Sequence, residues 1–152
     1  MVKIYSLPIT IKQPETDSEF ARYYDLRWRI LRAPWQQPAG SEKDDIETTC
    51  HHVIVCTDSG DIVGVGRLQF NSATEAQIRY MAVEPAHEGR GIGTQIVAAL
   101  EAIAAENERR MIVLDARESA VGFYQKQGYA VTAKSHLLFG SIQHYRMEKI
   151  MG

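Results

Sequence analysis

Three glycines at alternate positions, Gly89, Gly91 and Gly93, lie between a strand-like run and a long segment with helical apolar spacing. Glycine has no Cβ, so the chain can adopt positive φ there and a ligand can approach the backbone N–H groups closely. The first N–H groups of a helix have no intrahelical partner, and the helix dipole adds positive potential at that end. The loop therefore predicts a binding site for an anion such as a diphosphate.

The spacing of these glycines differs from that of two common nucleotide-binding loops. A dinucleotide-binding loop requires Gly-x-Gly-x-x-Gly, and a P-loop requires Gly-Lys-Ser/Thr after four spacer residues, and the chain has neither. A second motif, Ala-Val-Gly-Phe-Tyr-Gln-Lys-Gln-Gly-Tyr, occupies residues 120–129. Together with Glu-Gly-Arg-Gly-Ile-Gly at 88–93, it resembles the GNAT superfamily of acyl-CoA N-acyltransferases, and the resemblance extends from about His51 onward.

The resemblance implies where the acyl-CoA binds. In the family, the strand before the glycine loop splays from its neighbour, its exposed backbone binds pantetheine, and one N–H points to the thioester oxygen. Glu88 stands where the family prefers Gln or Arg, and Arg117 stands where many members have Asn. The alternative is an ordinary glycine turn beside a fully paired strand. The implied coenzyme-binding residues are Met81, Ala82, Val83, Glu88, Gly89, Arg90, Gly91, Ile92, Gly93, Thr94 and Arg117.

Acyl transfer to an amine also needs a proton donor for the departing thiolate. Tyr124 matches the tyrosine that many GNAT members place near the coenzyme sulfur, and a phenol is a hydrogen-bond donor at neutral pH. Tyr124 is therefore our candidate catalytic acid. The alternative is that Tyr124 is a core aromatic residue, like its neighbours Phe123 and Tyr129.

The catalytic base is less well defined by the sequence. Members of the family that use a carboxylate on the strand before the loop carry Glu where this chain has Gln77, and an amide cannot accept the proton. His144 is our candidate catalytic base, because the ordinary pKa of histidine suits the role. The alternatives are Glu75, Glu84, Asp115, a water chain, or an amine that is already unprotonated.

No motif specifies the acceptor amine. An acidic run lies in the region that forms the variable lid over the acceptor site in the resembled family, where it could attract a cationic amine. A solvated charge run is the preferred interpretation of these acids. For the arginines in the first predicted helix a solvated helix face is preferred, and a substrate-binding role is the alternative. A small amine, a polyamine, an amino sugar and a peptide amine all stay open as acceptors. The charged residues concerned are Glu42, Asp44, Asp45 and Glu47 in the run, and Arg22, Arg27, Arg29 and Arg32 in the helix.

Composition limits the class of protein and partner. The chain has 152 residues, a formal net charge of −2 and a pI near 6.2, so one domain over residues 1–152 is expected. This charge gives no basic field for binding nucleic acid or an anionic membrane, and no segment reaches membrane-spanning length. Cys50 and Cys56 form no paired motif, and no element carries metal-ligand spacing. We therefore expect no metal, reduced thiols and a cytoplasmic protein.

Apolar periodicity predicts the elements that position these groups. A capping box at residues 16–19 begins a first helix that ends near Ala33, and a second helix runs from about Gly91 to Glu108. Ser119 is predicted to cap a third helix that ends at about Gln127. A loop is predicted at 136–140. The predicted strands span residues 2–11, 51–57, 62–70, 76–83, 111–114, 129–133 and 142–150.

These elements and the resemblance predict one GNAT-like α/β (α+β) domain in the order β-α-β-β-β-α-β-α-β. Its mixed central sheet would have six to seven strands and about four flanking helices, and the apolar last strand could form a homodimer contact. We interpret the chain as an N-acetyltransferase that moves the acetyl group of acetyl-CoA to a primary amine of a small molecule or peptide, by direct attack in a ternary complex. The alternative is a non-catalytic acyl-CoA-binding regulatory module, which Gln77 would favour.

Overall fold

The computed structural model describes residues 8–152, which form a seven-stranded mixed sheet and three α-helices. This architecture confirms the predicted mixed α/β fold. Residues 2–7 of the first predicted strand lie outside the described residues. The helices are α1 (Asp17–Leu31), α2 (Ile92–Glu106) and α3 (Val121–Lys126). The strands are β1 (Ile9–Lys12), β2 (His51–Thr57), β3 (Ile62–Phe70), β4 (Glu75–Val83), β5 (Met111–Arg117), β6 (Ala130–Leu138) and β7 (Ile142–Ile150).

The strand order in the sheet is β1-β2-β3-β4-β5-β7-β6. Neighbouring strands are antiparallel except β4 and β5, which run parallel. The pairing of β4 with β5 begins at Glu75 and Met111 and extends only to Gln77 and Val113. Beyond this point the facing edges of both strands have no strand partner among residues 8–152, so their backbone N–H and C=O groups are available to a ligand.

The helices α1 and α2 cover opposite faces of the sheet, which we name the α1 face and the α2 face. Tyr23 and Leu26 of α1 are buried in one core cluster, and Ile96 and other residues of α2 are buried in another. The contact of α2 with the sheet is close at Gly66 of β3, because a Cβ there would lie 2.7 Å from Cγ2 of Ile96. The predicted capping box of α1 is confirmed, since Thr16 accepts from the Glu19 amide and Glu19 accepts from the Thr16 amide.

A β-bulge in β4 changes the face to which its side chains point. Tyr80 and Met81 together oppose the single residue Gly66 of β3, and Tyr80 has a φ of +55°. Because of this extra residue, Arg79 and Tyr80 both lie on the α1 face, with the Arg79 guanidinium 4.7 Å from the centroid of the Tyr80 ring. A non-glycine residue at positive φ is energetically costly, and such residues cluster at functional sites.

Three predictions about the elements were wrong in detail. Residues 136–138, predicted as loop, belong to β6. Ser119 does not cap α3, because it lies in a 3-10 turn and Ala120 is the N-cap residue. The strand β7 lies between β5 and β6 rather than at an edge, so both of its sides are paired and it has no free edge for the predicted homodimer contact. The homodimer itself stays a prediction.

Candidate active site

A cleft of about 190 Å³ opens where β4 and β5 separate. Both predicted catalytic residues border it, Tyr124 from α3 and His144 from β7. Two of the predicted coenzyme residues, Met81 and Arg117, also line it. The sequence alone does not bring these residues together, because they meet only when the sheet places β5 next to both β4 and β7. The aromatic and ionisable lining residues are Arg32, Arg79, Tyr80, Asp115, Arg117, Tyr124, His136 and His144.

The glycine loop begins α2 without a side-chain cap. Gly89 and Gly91 have φ values of +77° and +79°, and Gly91 is the N-cap residue. A hydrogen bond from the Gln95 N–H to the Gly91 carbonyl starts the helical pattern, so the N–H groups of residues 92–94 have no intrahelical acceptor. These amides and the helix dipole are the groups on which the predicted anion site depends, and anion binding by the loop stays a prediction.

The side chains of the glycine loop have different surroundings. Glu88 and Arg90 are exposed and take part in no ion pair within the described chain. The Thr94 hydroxyl accepts a hydrogen bond of 3.1 Å from the side-chain amide (Nε2) of Gln127, which lies just after α3. This bond links the loop to the segment that carries Tyr124.

The predicted coenzyme residues fall into two groups in space. Met81, Ala82 and Val83 end β4 where β5 no longer pairs with it, and a 3-10 turn at Pro85–His87 leads directly to the loop at residues 88–94. Arg117 lies apart from this path, at the end of β5, with its guanidinium 4.6 Å from the ring centroid of Trp35.

Tyr124 is buried, and its hydroxyl donates to Sδ of Met81 on β4 at 3.3 Å. Burial raises the pKa of Tyr124 well above its ordinary value of 10, so the phenol is protonated at neutral pH. Its ring packs edge-on against Phe123 and Tyr129, with centroid distances of 5.0 and 5.9 Å. Tyr124 is therefore a core aromatic residue whose proton-bearing oxygen lies at the splayed strand.

His144 is buried on β7 and lies opposite Arg117 of β5. Its Nδ1 is 3.0 Å from the carbonyl oxygen of Ile142, so Nδ1 carries the hydrogen and donates it, and Nε2 keeps its lone pair. Within residues 8–152 Nε2 has no hydrogen-bond partner, and His136 stacks on the ring with centroids 4.4 Å apart. Burial lowers the pKa of His144 below its ordinary value of 6.5, so the imidazole is neutral at pH 7.

The carboxylates that the sequence offered as alternative bases have other contacts. Glu84 accepts two hydrogen bonds of 3.1 Å from the Arg29 guanidinium, and neither Glu84 nor Glu75 lines the cleft. Asp115 does line it, and its carboxylate accepts a hydrogen bond of 2.8 Å from the Ser135 hydroxyl. His144 thus combines a place in the cleft with a free acceptor nitrogen.

Only some members of the acidic run and of the arginines of α1 are solvated as the sequence predicted. Arg27 is fully buried, and its guanidinium donates to both carboxylate oxygens of Glu47 at 2.9 and 3.0 Å. Arg67 of β3, also fully buried, donates to Glu47 at 2.8 Å and to both oxygens of Asp44 at 2.8 Å. We refer to Arg27, Glu47, Arg67 and Asp44 as the buried ion network.

The network fixes the charge states of its acids. Burial raises the pKa of Glu47, but the hydrogen bonds of Arg27 and the nearby charges outweigh this and hold it below its ordinary value. The hydrogen bond of Arg67 lowers the pKa of Asp44 to about 2. Both carboxylates are ionised at neutral pH and neutralised by arginine, so they do not form the field for a cationic amine that the sequence suggested. Three of these charged residues are exposed, as predicted: Asp45 of the acidic run, and Arg22 and Arg29 of α1.

Sequence comparison identifies the family of the chain. Residues 20–129 match the model of the acetyltransferase (GNAT) family. The chain belongs to this family. It is also 33% identical over 112 residues to the uncharacterized N-acetyltransferase YjcF of Bacillus subtilis (strain 168), which covers 74% of this chain and 79% of that protein.

Solved structures share the fold of this GNAT chain at lower sequence identity. An acyl-CoA N-acyltransferase from Pseudomonas aeruginosa matches with a TM-score of 0.78 and 22% identity, over 95% of this chain and 99% of that one. An aminoglycoside 6′-N-acetyltransferase, solved in complex with coenzyme A, matches with a TM-score of 0.77 and 18% identity, over 93% of this chain and 96% of that one.

Family membership establishes the general reaction. The protein is an acyl-CoA-dependent acetyltransferase, and its chemistry is acyl transfer. In the part of the chain that the structure describes, no helix is long and apolar enough to cross a membrane. Nor does any group of three His, Cys, Asp or Glu side chains there lie close enough to hold a metal ion.

Proposed function

We propose that this GNAT protein transfers the acetyl group of acetyl-CoA to an amine that attacks the thioester directly in a ternary complex. The observation that carries the proposal is the cleft at the β4–β5 separation, which has a candidate acid and a candidate base on different sides. Tyr124 and Ala116 belong to the core of the α2 face, and Ala116 pairs with Tyr145 of β7. Because successive side chains of a strand point to opposite faces, the preceding residue, His144, points to the α1 face. Donor and acceptor can therefore approach one point from opposite faces.

Backbone groups supply most of the donor site in this proposal. Pantetheine pairs with the free edge of β4 at residues 81–83 as an added strand, and the amides of residues 88–94 bind the diphosphate. Arg90 adds positive charge to that end. The bond from the Tyr124 hydroxyl to Met81 supports a position for the coenzyme sulfur near the phenol.

Two side chains carry the proton transfers. Nε2 of His144 accepts a proton from the amine as the amine nitrogen bonds to the thioester carbon, and a backbone N–H of β4 stabilises the oxyanion. The C–S bond then breaks, and the Tyr124 hydroxyl donates its proton to the departing thiolate. Water returns the proton from the imidazolium to the phenolate, which restores both groups.

Calorimetric titration with acetyl-CoA and CoA, combined with a thiol-release assay over a panel of amines, tests the proposal. Saturable binding together with amine-dependent thiol release is the expected result. Binding without thiol release from any amine would contradict the transfer proposal and favour the non-catalytic acyl-CoA-binding module. Absence of binding would contradict the assignment of the loop and of β4 as the donor site.

Replacement of Tyr124 by phenylalanine tests the acid. Loss of a general acid typically costs a factor of about 100 or more in rate, so kcat should fall by about that factor while the affinity for CoA is kept. Tyr129→Phe is a matched control, because the Tyr129 hydroxyl is also buried but bonds to Glu101 at 3.1 Å and does not line the cleft. A wild-type kcat in Tyr124→Phe would refute the role of the phenol.

A further inference from the structure

The α1 face of the cleft carries more positive than negative charge. Three guanidinium groups line the cleft, those of Arg32, Arg79 and Arg117, against one carboxylate, that of Asp115. Arg79 has a partner, since it lies 3.5 Å from the Asp44 carboxylate. Within the described residues, neither Arg32 nor Arg117 forms an ion pair.

Arg32 and Arg117 are both half-buried and held in place by neutral groups. Arg32 donates to the backbone carbonyls of Leu31 and Ser41 at 2.9 and 3.1 Å. Arg117 lies over the ring of Trp35, at 4.6 Å. Burial, and then the positive charge of Arg32, lower the pKa of Arg117 from its ordinary value. Two cations without a carboxylate partner in a partly desolvated cleft form a site that an anion would stabilise.

The acids of the lid segment do not neutralise this pair. The carboxylates of Asp44 and Glu47 are bound by the arginines of the buried ion network. Glu42 is buried, and its carboxylate accepts a hydrogen bond of 2.7 Å from the amide of Gly40. The positive charge at Arg32 and Arg117 is therefore available to a ligand.

Strand register places this charge next to the candidate base. Arg117 and His144 are directly paired between β5 and β7, so their side chains leave the sheet on the same face. Cβ atoms of directly opposed residues are about 4.5–5.5 Å apart. If Arg117 binds one group of an acceptor molecule, an amine a few bonds from that group in the same molecule lies within reach of Nε2 of His144.

We propose that Arg117 and Arg32 bind an anionic group, a carboxylate or a phosphate monoester, on the acceptor amine. This inference rests on the proposed acetyl transfer and adds the chemical class of the acceptor. It also gives Arg117 a role different from the coenzyme contact that the family resemblance implied. The excess of guanidinium groups favours an anionic acceptor over the cationic amine that the acidic run had suggested.

The activity test uses acceptor pairs that differ only in the anionic group. Amino acids are compared with their amides, and aminoalkyl phosphates with the parent amino alcohols, so the two sets of pairs separate the carboxylate from the phosphate. The anionic member of at least one kind of pair should have the higher kcat/KM. Arg117→Gln should lower kcat/KM for that member roughly 10- to 100-fold, mainly through KM, because a charge-assisted hydrogen bond is lost.

Three comparisons control for other effects of the substitution. Arg117→Lys keeps the charge and should recover part of the loss. Arg110→Gln removes the same charge at an exposed residue outside the cleft and should leave both members of each pair unchanged. The affinity of Arg117→Gln for CoA should equal that of the wild type. A fall in CoA affinity with unchanged acceptor discrimination would overturn the proposal and return Arg117 to the coenzyme site.

A binding readout separates failure of this inference from failure of the acetyl-transfer proposal. Trp35 is one of two tryptophans, so a Trp28→Phe background reports Trp35 fluorescence alone. Titration with inorganic phosphate and with acetate should give a saturable change that Arg117→Gln abolishes, whether or not any amine releases thiol. No saturable change with either anion, or equal kcat/KM within every acceptor pair, would overturn the anionic-acceptor site.

Discussion

Replacement of Glu47 by glutamine removes the central anion of the buried ion network while keeping the size of the side chain. The Glu47 carboxylate accepts two hydrogen bonds from Arg27, one from Arg67, and one of 3.0 Å from the Asp44 amide. Arg67 would keep its two bonds to Asp44. Arg27, with no solvent exposure, would keep only neutral partners, the Glu42 carbonyl and the Tyr23 hydroxyl.

The expected cost follows from the uncompensated charge on Arg27. Removal of one partner of a buried ion pair typically destabilises a protein by about 3–5 kcal/mol. For a chain of this length each kcal/mol lowers Tm by about 2–4 °C, so Glu47→Gln should lower Tm by roughly 6–20 °C. A second change, Arg27→Met, removes the unpaired charge and should restore part of the stability lost in Glu47→Gln.

Thermal and urea unfolding, monitored by circular dichroism, measure these effects. Asp45→Asn is the matched control, because Asp45 belongs to the same segment but is exposed, and it should change stability by less than about 0.5 kcal/mol. The folded state lowers the pKa of Glu47 below its ordinary value of 4.5, so the ionised carboxylate contributes fully to the free energy of unfolding above pH 4.5. This contribution is lost as the pH falls further, and Glu47→Gln should weaken the loss of stability in acid. If the Tm of Glu47→Gln lies within about 2 °C of the wild-type Tm, the expected cost of the unpaired charge on Arg27 is refuted.

Two further predictions concern the base and the packing of α2. The pKa of His144 is lowered, so kcat/KM should fall as the pH drops through a value below 6.5. His144→Gln should remove this fall on the acidic side of the pH–rate profile, together with most of the activity. If the fall is unchanged in His144→Gln, it belongs to the titration of another group. Gly66→Ala should destabilise the fold by about 1–3 kcal/mol in urea unfolding, because its Cβ would lie 2.7 Å from Ile96. Gly122→Ala is the control, since it has open space in α3 and should be neutral or stabilising; equal effects of both changes would show that the contact at Gly66 is not tight.

The glycine-rich start of α2 and the order of strands and helices could be predicted from sequence because their signals are local. The glycine spacing before an apolar-periodic segment predicted the uncapped start of α2, and Thr16 with Glu19 predicted the start of α1. The β-bulge at Tyr80 was not predictable in this way. Its positive φ depends on pairing with β3, and a regular alternation of side chains fits the same residues equally well.

By itself, the sequence predicted the glycine-rich start of α2 from the spacing within one segment. It predicted the fold class and the family from the order of the elements and from the resemblance of two motifs to the GNAT superfamily. Only the tertiary structure decided which charges remain in the cleft. Arg27 and Glu47 look like members of solvated runs, yet they neutralise each other in the core. Arg32 and Arg117 both line the cleft, and within the described residues neither forms an ion pair. The physical reason is that a charge is neutralised by whichever partner the fold brings within a few ångströms, and here those partners come from separate elements of the chain.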